Sequence, residues 1–352
     1  MYDTGEYNVK LEIPTDNYVV YNLFPSHLKT ISSFLDAITV KNEKTLIILL
    51  GAFQCLQERD FWIQPINEYA KTKPNPIVVF TGKLTPDIEY SVPQLDFLYS
   101  RISVFELVSN YYWNTNYQNA RRKWDQDSDV FRTKKFYWAS SKDWYTRRYI
   151  LAGLVKNNLL QDALVNYKCI NTDIPGPWIK HQINSEYTNH IQQECESISH
   201  LLPLPFLDNT IEFPQTDVNF YLDSMLGIIT DTFFNTGVFL SEKVFNAMNY
   251  QQLFFYVGYQ GSLAYLKNKG YEIFENIIDL SYDSIKEPGQ RLVAARKSLI
   301  EFLNRPIDEI RNDYKKSIPL IKHNKKLVQE QKPDMAITKI LQDFLHEHRT
   351  AY

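Results

Sequence analysis

Two short runs in the first hundred residues have an unbroken apolar centre and stop at a glycine: KTLIILLG over Lys44–Gly51 and NPIVVFTG over Asn75–Gly82. Runs of this length and character predict strands buried on both faces. A helix-length segment separates them, and FLYSRISVFEL (Phe97–Leu107) reads as a third strand. Strands spaced by helix-length segments predict βαβ units and a parallel sheet. Between residues 114 and 134 the chain turns polar and loses sustained apolar periodicity, as a linker does.

The pattern then restarts. KKFYWAS (Lys134–Ser140) reads as a strand. DWYTRRYILAGLVKNNLL reads as a helix with Tyr149, Ala152, Leu154 and Val155 on one side, and ALVNY (Ala163–Tyr167) as the next strand. Residues 171–215 carry several prolines and read as loop-rich. SMLGIITDTFF (Ser224–Phe234) and LFFYVG (Leu253–Gly258) are strands, and from Pro288 the chain reads as helical, with breaks at Pro306, Pro319 and Pro333. The expected fold is α/β, two Rossmann-like domains with C-terminal helices. We divide it into an N-terminal domain over 1–120, a linker over 121–133, a second domain over 134–305 and a helical segment over 306–352. Ligands of such sheets bind beyond the carboxyl ends of the strands, and with two halves the cleft between them is the expected site.

Composition narrows the function classes. The 352 residues are 44% hydrophobic and 22% charged, an ordinary globular mixture. A net charge of -3 provides no overall field for gripping a polyanion. Cys55, Cys169 and Cys195 are far apart and form no C-x-x-C pair, which points to a reducing, cytoplasmic setting in a bacterium or in the host of a phage. The abundance of Asn, Lys, Ile, Tyr and Phe suits an AT-rich genome, that of a phage or low-GC bacterium. No signal peptide is read in MYDTGEYNVKLEIPTD, and no apolar run is long enough to span a bilayer.

Chemistry concentrates in TGVFLSEKVFNAMNYQQLFFYVGYQGS (236–262). Ser241-Glu242-Lys243 suits the start of a helix, with Ser as N-cap and Glu complementing the helix dipole. The same position offers backbone N–H groups, a lysine and a glutamate to the phosphates and ribose of a nucleotide. Gly258 and Gly261 would let the backbone approach a ligand closely.

FLSEKVFNAM (Phe239–Met248) resembles the donor-binding motif of the α-1,3-fucosyltransferase family and its phage and bacterial relatives, through Phe239, Glu242, Lys243, Asn246 and Ala247. Upstream, KKFYWASSKDWYTRRYILAGLVKNNLL is similar to that family's strand, small-residue turn and helix-opening arginine. Lys135, Phe136, Ala139, Ser140 and one of Arg147 or Arg148 fill those places. The resemblance covers roughly residues 131–285 and implies a GT-B glycosyltransferase, a hexosyl- or pentosyltransferase whose two domains face a cleft. It implies that Glu242 binds the ribose, while Lys243 with Arg147 or Arg148 neutralises the diphosphate leaving group. No cofactor is then implied and no metal required, because the cations are side chains. Two departures leave the sugar open: Phe239 stands where tyrosine is usual, and TDTFFNTG lacks the family's acid-bearing Phe-Glu-Asn-Ser run. The base would come from the N-terminal domain, with Glu58, Asp60 and Glu106 as candidates by position.

The expected partners are a nucleotide-sugar donor and an acceptor: a glycan, a protein or a hydroxymethylated DNA base. The DNA reading rests on the basic, aromatic stretch from Arg121 to Arg148, which Asp125, Asp127 and Asp129 interrupt. Those aspartates form two D-x-D patterns, but they follow no apolar strand and read as a solvated loop. His346 and His348 diverge on a helix, and no His and Cys spacing makes a zinc site. No phosphate-binding P-loop or dinucleotide glycine fingerprint is present. Two other readings stay open: a catalytically silent glycosyltransferase-like protein serving a structural or binding role, for instance on a virion, and an unrelated α/β enzyme in which Ser-Glu-Lys is only a cap.

Overall fold

The computed structural model describes residues 18–23, 45–50, 77–80, 95–97, 131–140, 143–167, 185–204, 218–231, 234–235, 238, 240 and 242–330. The chain divides into two compact units. In the first, β1 (Tyr18–Leu23), β2 (Thr45–Leu50), β3 (Ile77–Phe80) and β4 (Leu95–Phe97) form a parallel sheet in chain order. β2 and β3 are the two glycine-terminated runs. β1 escapes the pattern because Asn22 interrupts YVVYNL and no glycine closes it. The third expected strand meets β4 only at Phe97; residues 98–107 lie outside the described residues.

The second unit, Arg121–Val238 with Lys243–Glu330, carries a large apolar core. Its strands are β5 (Lys134–Ser140), β6 (Ala163–Tyr167), β7 (Ser224–Thr230) and β8 (Leu253–Val257). Its helices are α1 (Tyr145–Lys156), α2 (Ser185–Ser197), α3 (Val218–Asp223), α4 (Glu242–Asn249, all but its first residue), α5 (Ser262–Asn268), α6 (Pro288–Leu303) and α7 (Ile307–Glu330). All four strands run parallel in the order β6-β5-β7-β8. The chain therefore winds one way from β5 to β6 and the other way from β7 to β8, so the direction reverses between β5 and β7. Every residue of β7 and β8 is buried, the state that their unbroken apolar runs predict.

Close packing decides where α4 lies. A Cβ on Gly227, in the middle of β7, would stand 2.9 Å from Gln252 Oε1 and 3.2 Å from the Ala247 Cβ. Glycine on the strand and alanine on the helix together let α4 sit down on the sheet. Elsewhere α1, α2 and α6 pack on one another, while α7 packs against β5, β7 and β8.

Two buried basic residues tie the amino-terminal side of this sheet. The Arg132 guanidinium donates to the Tyr314 hydroxyl (2.7 Å) and to four carbonyls: Tyr221, Ser224 (2.6 Å), Tyr250 (2.8 Å) and Gln251 (3.0 Å). Lys135 Nζ donates to the Leu303 and Arg305 carbonyls, both at 2.9 Å, where α6 ends. Orphan carbonyls at a helix end gain most from a cationic donor.

Two expectations need correction. Residues 185–197, inside the stretch read as loop-rich with no helix singled out, form α2. Its buried stripe is thin, Thr188, Ile191 and Cys195, so Gln, Asn, Ser and Glu mask the period. Pro319 does not break α7. A proline inside a helix deprives the carbonyl four residues earlier of its backbone donor. Here that residue is Lys315, which is exposed like Pro319 itself, so water can reach the carbonyl. No helix among the described residues is long and apolar enough to cross a membrane.

Candidate functional site

β5 ends at Ser140, and α1 begins five residues later at Tyr145. Arg147, in the first turn of α1, is 4% exposed. Its guanidinium donates to Ser140 Oγ at 3.2 Å and to the Thr230 carbonyl at 3.4 Å. Ser140 and Thr230 are the last residues of β5 and β7. One cation thus lies across the carboxyl ends of the two strands between which the winding reverses, the place where doubly wound sheets bind ligands.

Its neighbour has a different environment. Arg148 Nε donates to Asp143 Oδ1 at 2.9 Å, and its second nitrogen pairs with Asp143 Oδ2. Its remaining nitrogen reaches Ser199 Oγ at 3.2 Å. The Asp143 carboxylate also accepts from the Tyr167 hydroxyl at 2.5 Å. The charge of Arg148 is matched within the protein, so the two arginines, interchangeable by sequence, are distinct in the fold.

Asp231 follows β7 directly and is 2% exposed. Its Oδ2 accepts from the Tyr256 hydroxyl of β8 at 2.6 Å, and Trp138 Nε1 donates to Thr230 Oγ1 at 3.3 Å. Burial first, then the adjacent Asp231 charge and hydrogen bond, push the Tyr256 phenol well above its usual range, so it serves as a donor to the carboxylate.

Because α4 connects two parallel strands, it runs back along the sheet and its first turn lies at the carboxyl ends of the strands. Val244, Phe245, Ala247 and Met248 face the core, Asn246 is buried and Lys243 half-buried. Phe239, Ser241 and the Glu242 side chain lie outside the described residues, as do Glu58, Asp60 and Glu106. The D-x-D loop, His346, His348, Cys55 and Cys169 lie outside them too.

The turn after β8 does not serve as the sequence suggests. Gly261 is left-handed (φ 77°), and this is why glycine is needed there. The start of α5 is filled by Asp283, whose carboxylate accepts from the Leu263 N–H (3.2 and 3.1 Å) and the Ala264 N–H (3.1 Å). A helix start occupied by the protein's own carboxylate is not an open seat for phosphate. Burial raises the Asp283 pKa, and these N–H donors with the Arg291 charge only partly offset it. Arg291, 2% exposed, holds the surrounding loops: it donates to the Gly258 (3.2 Å), Ile285 (2.8 Å), Lys286 (3.1 Å) and Phe234 (2.8 Å) carbonyls and lies over the Phe234 ring.

The basic stretch read as a nucleic-acid face is mostly interior where it is described. Arg132, Lys135, Arg147 and Arg148 are all buried, because each serves a carbonyl, hydroxyl or carboxylate of the fold. Among the described residues no group of His, Cys, Asp and Glu is placed to hold a metal ion.

Sequence reasoning missed Asp231, Tyr256, Asp283 and Arg291. For Asp231 a signal existed, an acid directly after the apolar run SMLGIIT. Arg291, three residues past Pro288, looks like any solvated charge on a helix.

No family model matches the chain, and no curated protein sequence matches it. Solved structures similar to it include an alpha,alpha-trehalose-phosphate synthase (UDP-forming) from Burkholderia vietnamiensis, at 10% identity and a TM-score of 0.41, covering 94% of this chain and 75% of that one. A UDP-forming synthase of the same kind from Burkholderia xenovorans is similar at 10% identity and a TM-score of 0.37, covering 85% and 75%. The trehalose-6-phosphate synthase OtsA is similar at 12% identity and a TM-score of 0.39, covering 94% and 73%.

Proposed function

We propose that this protein is a GT-B-type glycosyltransferase that moves a hexose or pentose from a nucleotide-diphosphate sugar to an acceptor hydroxyl, with the donor held at the carboxyl ends of β5 and β7. The observation that carries this reading is the Arg147 guanidinium lying across Ser140 and Thr230 at the reversal of strand order. It is supported by the motif residues Glu242, Lys243, Asn246 and Ala247, which belong to α4, and by Phe239, three positions before them in sequence.

In the reaction, the acceptor oxygen attacks the anomeric carbon as the bond to the diphosphate breaks. Negative charge then grows on the leaving diphosphate, and Arg147 and Lys243 stabilise it more strongly than they do the ground state. Glu242 accepts from the ribose hydroxyls. The acceptor's proton passes to a carboxylate, for which Glu58, Asp60 and Glu106 are the residues to substitute first. A glycan is the preferred acceptor over a DNA base, since Arg132, Lys135 and Arg148, three of the basic residues that would grip DNA, are interior and held by groups of the fold itself.

The test is calorimetric titration with UDP, GDP, ADP, CMP and dTDP. One nucleotide binds the intact protein, and Arg147→Met, Lys243→Ala and Glu242→Ala each weaken it. Failure of all five to bind, or undiminished binding by Arg147→Met, rejects the proposal.

A further inference from the structure

The first turn of α1 has an unusual beginning. Its N-cap is Trp144, with extended backbone (φ -95°, ψ 146°) and no side-chain cap bond. Helices that enter this way are often secured by a contact between the residue before the cap and the fourth residue of the helix, usually an apolar pair that fixes the entry angle. Here those two positions are Asp143 and Arg148, joined by the two-pronged ion pair. The Asp143 side chain is fully buried and that of Arg148 is 7% exposed.

The pair is anchored on two further elements. Tyr167, the last residue of β6, donates to Asp143, and Ser199, just past α2, meets Arg148. Arg147 lies between the two ends of this clamp and points to the other side, toward Ser140 and Thr230. Two adjacent helical side chains diverge by about 100°, so fixing Arg148 on Asp143 fixes where Arg147 is aimed.

We propose that Asp143 and Arg148 form an ionic staple whose role is to aim Arg147 at the carboxyl ends of β5 and β7, making Asp143 a positioning residue for the nucleotide site. The functional half of this inference rests on the proposed donor-binding role of Arg147; the staple itself does not. It also assigns Arg148 a role other than binding the diphosphate.

The experiment compares Asp143→Asn, Arg148→Met and the double variant Asp143→Leu/Arg148→Met. The double variant replaces the ionic staple with an apolar one, and buried ion pairs often tolerate such replacement. Two readouts are taken on each: the NMR resonance of the Arg147 Nε–H, assigned by its loss in Arg147→Lys, and the affinity for the nucleotide that binds the intact protein. Asp143→Asn is expected to shift the resonance and weaken binding at least tenfold, with the double variant restoring both toward the intact protein. An unmoved resonance in Asp143→Asn overturns the staple. A double variant with a restored resonance but lost affinity overturns the role assigned to Arg148, since its charge would then be needed by the ligand. If no nucleotide binds the intact protein while the resonance behaves as expected, the staple stands and the donor site falls. Should Asp143→Asn fail to fold, Tyr167→Phe loosens the same carboxylate by removing a single hydrogen bond and is read in the same way.

Discussion

Arg147 donates to Ser140, seven positions earlier in the chain, across 3.2 Å. The bond ties the first turn of α1 to the last residue of β5, so the guanidinium is held in place before any ligand arrives. Preorganised charge of this kind needs no rearrangement when it meets an anion. Ser140→Ala should lower stability by about 1 kcal/mol, the usual net worth of a hydrogen bond. It should also weaken nucleotide binding less than Arg147→Met does, because the cation stays. Urea denaturation and calorimetric titration of the two variants give both comparisons.

Gly227→Ala should be costly although it adds only a methyl group. That methyl would lie 2.9 Å from Gln252 Oε1 and 3.2 Å from the Ala247 Cβ, between a fully buried strand and the helix that carries Lys243. Overpacking of this kind costs about 1–3 kcal/mol. Chemical denaturation should show it, and any weakening of nucleotide binding should accompany it, because α4 must shift. An Ala247→Gly partner substitution should return part of the loss.

Arg132 faces four carbonyls and a hydroxyl, and no shorter side chain reaches them all. Arg132→Ala should therefore destabilise the second unit by about 3–5 kcal/mol, as loss of one side of a buried polar network does. Tyr314→Phe removes the hydroxyl that both accepts from Arg132 and donates to the Gln251 carbonyl (3.0 Å), and should cost about 1–2 kcal/mol. Thermal unfolding of the two variants should keep this order.

Acid should loosen the contact among α1, α2 and α6. Burial would raise the Glu194 pKa, but hydrogen bonds from Lys156 and Arg296, at 2.6 and 2.9 Å, outweigh it and hold the carboxyl below its ordinary value of 4.5. A depressed carboxyl pKa adds stability above the unfolded value and loses it as the pH falls through the folded one. Stability measured against pH should drop below about pH 4.5, and Glu194→Gln should flatten that part of the curve. An unchanged slope in the variant would assign the acid sensitivity to other carboxylates.

Cys195 should resist thiol reagents in the folded protein. Its sulfur is buried 3.6 Å from the Tyr145 carbonyl, and burial pushes the thiol up to about 12. The thiolate is the reactive form. Iodoacetamide labelling followed by peptide mapping should find Cys195 modified only after unfolding.

Much of the α/β framework was legible in the chain. Apolar runs such as SMLGIIT and LFFYV, short and rich in β-branched or aromatic residues, suit a strand covered on both faces, and their helix-length spacing suits parallel pairing. The helix at Ser185–Ser197 was hidden because only three of its described positions, Thr188, Ile191 and Cys195, are buried. Which face a polar-rich segment buries depends on what lies opposite it.

The residue types at the site and their order along the chain were also set by sequence: an arginine pair after the first strand of the second unit, a Glu-Lys pair after the third. Local pattern could go no further, because Arg147 and Arg148 are adjacent and chemically identical. Tertiary structure separated them, since Asp143, Tyr167 and Ser199 come together around one and the ends of β5 and β7 around the other. It likewise filled the start of α5 with Asp283, nineteen to twenty positions away in sequence, and joined Asp231 to Tyr256. Such pairings depend on strand order and helix placement, which bring distant residues within hydrogen-bonding reach, and no run of neighbouring residues encodes that distance.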